Sequence, residues 1–367
     1  MAEKAIRLGG ESTADAIVSA VDSLYPEHTF EDKEFALKHN DDEINVDTNF
    51  AAQNFWKEAL IRFFNKKSAV LGLILIAVIV LLAVFGPGMN SYTYSGQDLS
   101  QKNFAPRVPG IERLGILDGS EKMSTTTGSK SVNAYVEKGK DDVYYWFGSD
   151  LYGRDIWTRT WEGARVSLII AVAAAVIDMV IGMSYGLISG YFGGRVDMVM
   201  QRFLEVANGI PRLVIVTLLL LVLQPGMVTI IFALMLTEWV GMSRIARAEM
   251  LKLKDQEFVL ASRTLGAGSF FIIFKEVLPN IIGPIITQVM FSIPTAIFTE
   301  AFLSFVGLGI PVPQCSLGSL ISELYNSFTT HPYQIIPPIV VMSLLMLSFN
   351  LVADGLREAL DPKMKSM

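Results

Sequence analysis

The sequence predicts an all-α integral membrane protein with about six transmembrane helices and with both termini in the cytoplasm. Of the 367 residues, 51% are hydrophobic and only 18% are charged, whereas a soluble domain is about 25% charged. The mean hydropathy is +0.42, and several runs approach the roughly 20 apolar residues that cross a bilayer. The single cysteine, Cys315, excludes an intramolecular disulfide framework, and the three histidines show no metal-ligand spacing.

Residues 1–67 form the first segment, an acidic cytoplasmic arm that ends in an interfacial helix. Residues 1–55 carry 12 acidic and 4 basic side chains, and they lack the basic start and apolar core of a cleavable signal peptide. Such a charge run is either a solvated tail or a regulatory or docking arm. Residues 53–67 are amphipathic, and we expect their basic side chains to lie among the lipid headgroups.

The first transmembrane helix is predicted at residues 68–86, which contain no charge and are followed by Pro87-Gly88. Positive charge precedes this span and none immediately follows it, which places the N-terminus in the cytoplasm. Residues 87–165 then form an extracytoplasmic insert and an amphipathic segment. Over residues 147–168 we expect an interfacial helix with tryptophan anchors, whose arginines pair with neighbouring acidic side chains.

Residues 166–356 are predicted to form a five-helix core, and residues 357–367 form a cytoplasmic tail. The core spans are expected at residues 167–190, 204–223, 227–243, 280–306 and 335–353. Small residues recur at four-residue spacing in the first of these spans, at Gly182, Gly186 and Gly190. Because such a ridge lets helices approach closely, it predicts a packing surface, either within the chain or with a second subunit.

A polar loop, residues 244–283, separates the third and fourth core spans. Basic residues open it, Gly266 divides it into two short helical pieces, and Leu278-Pro279 closes it at the start of the next hydrophobic helix. A glycine allows a positive φ or a close backbone approach, and a proline near a helix start removes no helical hydrogen bond. The segment is either an ordinary loop between membrane helices or a pair of surface helices that dock onto a partner.

Some ionisable residues fall within the predicted spans. Asp178 lies near the middle of its span, whereas Glu238 and Glu300 lie near the ends of theirs. An ionisable group at bilayer depth normally faces the bundle interior, a water-filled path or a partner. Asp178 and Glu300 are therefore candidates for the pathway or for an inter-subunit contact, with a structural hydrogen bond as the alternative for Asp178. No chain of histidines and carboxylates links them, which argues against a proton relay.

The sequence contains no recognisable enzyme constellation. It has neither a Gly-x-Ser-x-Gly elbow nor a His-Glu-x-x-His motif, and it has no clustered carboxylates with a matching base. Uphill movement of a substrate would therefore draw its energy from a partner or from an ion gradient. The glycine-jointed loop is a suitable place to receive force from a soluble motor.

Several segments, in order, resemble the C-type permease subunits of binding-protein-dependent ABC importers for oligopeptides and dipeptides. The resemblance covers about residues 147–362 and rests on FGSDLYGRDIWTR, GYFGGRVD, TEWVGMSRIARAEML, LPNIIGPIITQ, EAFLSFVGLG and NLVADGLREALDP. The EAA loop of that family matches Leu260-Ala261-Ser262, then Gly266, then Glu276 to Pro279, with the spacing kept. Leu260, Ser262 and Glu276 depart from the residue types of the motif.

This resemblance implies the type I ABC importer fold and a non-catalytic, multi-pass subunit of the bacterial cytoplasmic membrane. It implies that the loop forms a coupling helix in a groove of a cytoplasmic ATPase subunit, through Ala261, Ser262, Gly266, Ala267, Leu278 and Pro279. The implied partners are a homologous second permease, two ATPase subunits, an extracytoplasmic peptide-binding protein and membrane lipid, without nucleic acid. No cofactor is implied in this chain, because the ATPase subunits bind ATP and Mg.

Three alternatives stay open. Permeases for nickel or another small ligand look alike within the same family, and the external binding protein largely sets substrate choice. An ion-coupled secondary transporter would show inverted repeats around a midplane site, and we find no convincing internal repeat. A structural or signalling protein whose acidic arm is the active part leaves the glycine-jointed loop unexplained.

Overall fold

The computed structural model describes residues 55–125 and 128–360. The acidic arm at residues 1–54 and the end of the tail at residues 361–367 lie outside the described residues, and the expectations for them stay predictions. Within the described part, five helices are long and apolar enough to cross a membrane, and one bent helix pair brings the number to six. This architecture confirms the predicted all-α membrane fold.

Helices dominate the described ranges, and a single hairpin lies between the first two spans. The helices are α1 Phe55–Asn65, α2 Lys67–Phe85, α3 Ala134–Glu137, α4 Ile156–Ile177, α5 Met183–Phe192, α6 Gly194–Gly209, α7 Arg212–Val222, α8 Met227–Thr237, α9 Trp239–Leu253, α10 Glu257–Thr264, α11 Ser269–Phe271, α12 Leu278–Leu303, α13 Leu317–Tyr325 and α14 Ile336–Leu360. The antiparallel strands are β1 Ser120–Thr125 and β2 Gly128–Asn133. Wider π-helical turns lie at Asp178–Gly182, Ile272–Val277 and Ser304–Leu308.

The bundle has two ends, which we name by what they carry. The insert end holds residues 87–155 as far as they are described, and the loop end holds residues 254–277. A large apolar core lies among α2, α4, α8, α12 and α14, and it includes Ile170 and Leu345. A second apolar core, which we call the loop-end core, lies among α5, α9, α10 and the start of α12. The loop is therefore packed against the bundle.

The structure corrects the prediction of one continuous span over residues 204–223. The chain breaks between α6 and α7, and the two helices are bent by 77°. Pro211 causes the break, because its ring fixes φ, here at −58°, and its nitrogen has no hydrogen to donate. It also holds Ile210 in an extended conformation, with ψ of 124°. Helix α7 alone has only 11 residues.

The structure also corrects the prediction of a second short helical piece in the loop, after Gly266. This piece is the beginning of one helical segment that runs from Ser269 to Leu308. Leu278 and Pro279 therefore lie inside a continuous helix and do not mark its start. The π-helical turn Ile272–Val277 comes directly before the proline. In the wider turn the backbone hydrogen bonds join residues five apart, which changes the set of carbonyl groups that need a donor. The helix therefore continues through Pro279, although proline has no N–H to donate.

A third correction concerns the interfacial helix expected over residues 147–168. Helix α4 begins at Ile156 and runs on into the membrane, and Asp155 caps it by accepting a hydrogen bond of 2.8 Å from the Thr158 amide. Arg154 and Arg159 are buried, not placed among headgroups. Burial is tolerated because each guanidinium is paired with carboxylates.

The two buried arginines share two carboxylates, and we call these four side chains the arginine cluster. Asp150 Oδ2 accepts from Arg154 Nε at 2.7 Å and from Arg159 Nη1 at 2.7 Å. Glu323 of α13 accepts from Arg159 Nη2 at 2.6 Å and also from Arg154. Burial alone would raise the pKa of Glu323, but Arg159 and Arg154 outweigh it and hold that pKa below its ordinary value. The cluster ties the segment before α4 to α13.

The glycine ridge packs within the chain. A Cβ built at Gly186 would collide with the carbonyl oxygen of Ser243 on α9, and one at Gly190 would lie 2.8 Å from Met250 Cβ. Real Cβ atoms do not approach so closely, so α5 and α9 require glycine at these positions. Helix α5 is thereby held against the helix that leads into the loop.

Replacing Gly186 with alanine is expected to lower the unfolding temperature of the detergent-purified protein. Overpacking of this kind costs about 1–3 kcal/mol, because the two helices must move apart. Gly241→Ala on α9 is the matched control, since a Cβ at Gly241 meets nothing within 4 Å. Equal unfolding temperatures for the Gly186→Ala and Gly241→Ala proteins would contradict the packing described for the ridge.

Candidate functional site

The loop between α9 and α12 contains one separate short helix, α10, which ends at a glycine. Gly266 has a φ of +84°, in the left-handed region that favours glycine. The Ala267 amide donates to the Ser262 carbonyl at 3.0 Å, and the Gly266 amide donates to the Arg263 carbonyl at 3.0 Å. These two bonds form the Schellman motif, which ends a helix at a glycine. Gly266 thus sets the angle between α10 and the helical segment that follows.

Val259 anchors α10 to the bundle. Its side chain is fully buried, and it lies in the loop-end core with Met250 of α9 and with Ile272 and Ile273 of the segment leading into α12. Burying a valine completely stabilises a contact by about 1.5–3 kcal/mol. Because both helices that flank the loop contribute to this core, a movement of α10 is passed to both.

The coupling residues named from the sequence do not share one surface. Ala261 and Gly266 are exposed, while Ser262 and Ala267 are half-buried. Leu278 packs against the loop-end core, and Pro279 is exposed two residues beyond the π-helical turn. The structure therefore places the first four residues at α10 and its C-terminal end, and it places Leu278-Pro279 apart from them on the membrane helix. Their role in docking stays a prediction.

An exposed apolar patch lies on α10 and its C-terminal end. Phe258 and Leu260 are exposed, and Leu265 is 87% exposed. Leu260 is one of the residues that depart from the family motif, yet it stands on this exposed surface. Several exposed apolar side chains on one short segment beside a polar loop are typical of a protein docking site.

A clamp beside the loop holds α6 against α9. Arg247 donates to both carboxylate oxygens of Asp197, each at 2.6 Å. Ser189 of α5 donates to the same carboxylate at 2.5 Å. Bidentate arginine–carboxylate pairs fix orientation as well as distance. Three helices at the loop end are therefore joined through one aspartate.

Glu300 is fully buried on α12, at the insert end. Its carboxylate accepts hydrogen bonds of 2.7, 2.5 and 3.3 Å from three hydroxyls, those of Ser304, Ser316 and Ser167. Ser316 caps α13, and Ser167 lies on α4. The carboxylate thus joins three helices within this chain, and the pathway or inter-subunit role expected from the sequence stays a prediction.

Asp178 opens the π-helical turn between α4 and α5 and is buried. Its Oδ1 atom has no hydrogen-bond partner among the described residues. Wider turns of this kind are frequent at functional sites. An incompletely satisfied carboxylate at bilayer depth keeps Asp178 a candidate for a functional role.

The structure adds a charged pair that the sequence reasoning passed over. Arg212 Nη1 lies 2.7 Å from Glu238 Oε1 and donates to Thr299 Oγ1 at 3.0 Å. Glu238 was expected near the end of a span over residues 227–243. The helical segment instead continues to Leu253, so Glu238 lies well inside it. The signal available in the sequence was an arginine directly after a proline within an apolar run.

Known proteins are similar to this chain over most of its length. The profile of the binding-protein-dependent transport system inner membrane component matches residues 182–366. A second profile, the N-terminal TM domain of oligopeptide transport permease C, matches residues 54–106. The chain is 42% identical to the oligopeptide transport system permease protein OppC of Bacillus subtilis, across 85% of this chain and 91% of that protein. It is 39% identical to the dipeptide transport system permease protein DppC of the same organism, across 85% of this chain and 87% of that protein.

A solved chain of the MetNI methionine ABC transporter in inward-facing conformations aligns with 54% of this chain and 94% of its own length, with a TM-score of 0.47 and 15% identity. The family profile and the apolar helices together place the chain in the cytoplasmic membrane as a multi-pass protein. The chain belongs to the family of binding-protein-dependent transport system inner membrane components, and within it is an OppC/DppC-like permease.

Proposed function

We propose that this chain is the permease subunit of an ABC importer for oligopeptides or dipeptides, and that it forms half of the translocation pathway. Membership of the family and the relatives named OppC and DppC support a peptide substrate. The chain itself hydrolyses no ATP. Partner ATPase subunits bind ATP and Mg, and this chain requires no cofactor of its own.

One observation carries the coupling part of this proposal: the helix that begins in the loop reaches the insert end. The helical segment Ser269–Leu308 has 40 residues, and at 1.5 Å per residue it is about 60 Å long. Its first turns contribute to the loop-end core, and Glu300 near its other end is bound to α4 and α13. A displacement of the loop is therefore transmitted across the membrane along one element.

The exposed apolar patch on α10 is the surface that we assign to an ATPase subunit. Phe258, Leu260 and Leu265 would be covered in a groove of that subunit, while Val259 on the opposite side holds α10 to the bundle. Closure of two ATPase subunits draws this loop and that of a homologous second permease together. The pathway between the permeases then opens outward, and an extracytoplasmic binding protein delivers its peptide.

The alternative within the family is a permease for nickel or another small ligand, because the external binding protein largely decides the substrate. An ion-coupled secondary transporter is the alternative outside the family. These hypotheses differ in the partners that accompany the chain and in the substrate that crosses the membrane.

The test is purification of the tagged chain from its native membrane in mild detergent, followed by uptake measurements in proteoliposomes. We expect a second permease and two ATPase subunits to accompany the chain, and we expect labelled peptides to enter only with ATP hydrolysis. Uptake of nickel but not of peptides would select the alternative within the family. Recovery of the chain without ATPase subunits, together with gradient-driven uptake, would contradict the proposal.

A further inference from the structure

Arg212 and Glu238 lie near the middle of the membrane. Helix α7 begins at Arg212, helix α8 ends just before Glu238, and the turn Gln224-Pro225-Gly226 joins the two helices. Each of these helices has 11 residues, so both charged residues are about 16 Å below that turn at 1.5 Å per residue. A hydrocarbon core is about 30 Å thick. Taking that turn as the membrane surface, we place the Arg212–Glu238 pair at roughly half the depth of the hydrocarbon core.

Among the described residues, only one of the three guanidinium nitrogens of Arg212 has a polar partner. Its Nη1 atom faces Glu238 Oε1 at 2.7 Å and donates to Thr299 Oγ1 at 3.0 Å. Its Nε and Nη2 atoms have no hydrogen bond to any described residue. These two nitrogens form one edge of the planar group and present two parallel N–H donors. That edge matches the two oxygens of a carboxylate.

The surroundings of this free edge indicate an aqueous path and not lipid. The Arg212 side chain is 40% exposed, and a charged donor pair at this depth is too costly to leave in hydrocarbon. Thr295 on the neighbouring helix α12 is exposed as well, next to the exposed Phe298. A face that combines free cationic donors, a hydroxyl and an aromatic ring is suited to a peptide in water.

We propose that Arg212 is a substrate-binding residue of the translocation path and that it binds the C-terminal carboxylate of the passing peptide. This inference rests on the proposed function, which supplies a peptide and a path. Every unmodified peptide has that carboxylate, so the contact does not depend on side chains. Glu238, whose Oε1 lies 2.7 Å from Nη1, is a competing carboxylate that keeps the contact weak enough for release, which conduction requires.

The experiment compares two peptides of one sequence, one with a free C-terminal carboxylate and one with a C-terminal amide. The pair is chosen so that the external binding protein binds both with equal affinity. Uptake is measured with the complete importer in proteoliposomes. In Arg212→Gln we expect the initial uptake rate of the free acid at low concentration to fall about tenfold, the equivalent of one charge-assisted contact. Uptake of the amide should stay at the wild-type rate.

Arg202→Gln is the matched control, because it removes an arginine from α6 that is 75% exposed and that, within the described part of the chain, pairs only with Glu205. It should leave both uptake rates unchanged. An equal loss for acid and amide in Arg212→Gln, or no loss for either, would overturn the assignment. If Arg212→Gln is not recovered as an assembled importer, Arg212→Lys decides by the same comparison, since lysine keeps the charge and loses the two-donor edge. If wild-type importer moves neither peptide, the proposed function fails, and not this inference alone.

Discussion

Replacing Gly266 with valine is expected to reduce peptide uptake by more than tenfold while the amount of the protein in the membrane stays the same. Gly266 has a φ of +84°, and valine in the left-handed region costs about 1–3 kcal/mol. The variant relieves this strain by opening the Schellman motif, so α10 loses its fixed angle to the segment that begins at Ser269. No side chain within 4 Å would be displaced by the new Cβ. The effect is therefore on the backbone angle and not on packing.

Gly268→Val is the matched control for this substitution. Gly268 lies two residues away, and a Cβ there also meets nothing within 4 Å. Its φ of −69° and ψ of 152° suit valine. Peptide uptake and peptide-stimulated ATP hydrolysis should both fall in Gly266→Val and stay near wild type in Gly268→Val. Similar values for the two variants would show that the angle set at Gly266 does not matter for coupling.

Replacing Arg159 with methionine is expected to be the most destabilising single change at the insert end. The side chain is fully buried and contacts both Asp150 and Glu323. Its removal leaves a buried negative charge that Arg154 alone does not compensate, which costs about 3–5 kcal/mol. We expect the unfolding temperature of the purified protein to fall by about 10 °C. Arg202→Met should change it little, because exposed ion pairs contribute about 0–1 kcal/mol.

Two further measurements distinguish the loss of charge from the loss of packing in Arg159→Met. They are the change in stability at acid pH and the effect of a second substitution at Glu323. The pKa of Glu323 lies below its ordinary value of 4.5, because the two arginines outweigh its burial. The stabilisation from this carboxylate is thus present above pH 4.5 and is lost as the pH falls through the lowered pKa. Arg159→Met should lose less stability on acidification than wild type. Adding Glu323→Gln to Arg159→Met should restore part of the stability, whereas no restoration would contradict the role assigned to charge.

Local patterns were sufficient to predict the helical fold and the joint at Gly266. Apolar runs locate the spans because crossing the bilayer requires them, and a glycine at a helix end has a local conformational cause. Pro211 also carried a local signal, since proline holds the preceding residue away from helical angles. Pro279 carries the same signal, but there the chain stays helical, because the π-helical turn before it accommodates the missing N–H. The hydrogen bonds of such a turn join residues five apart, and a single proline in the sequence does not reveal them.

Long-range pairing explains what the sequence did not show. Arg159 and Glu323 are separated by 164 positions, so the sequence indicates the pairing of Arg159 with the nearby Asp150 but not its second pairing, with Glu323 on a distant helix. The same holds for Glu300, whose three serine partners lie on three different elements. Arg212 and Glu238 meet only because α7 and α8 are short and antiparallel. Such contacts follow from tertiary packing and not from periodicity.

The most direct test of the coupling mechanism is site-specific cross-linking from Leu265, the most exposed of the three patch residues. The sequence has one cysteine, Cys315, and it is buried, so an introduced thiol can be labelled selectively. A short thiol-directed photo-cross-linker on Leu265→Cys should join the chain to an ATPase subunit. The same reagent on Leu114→Cys, an exposed position in the insert, should not. An assembled complex that gives no ATPase adduct from Leu265→Cys, or gives one from Leu114→Cys, would contradict the account.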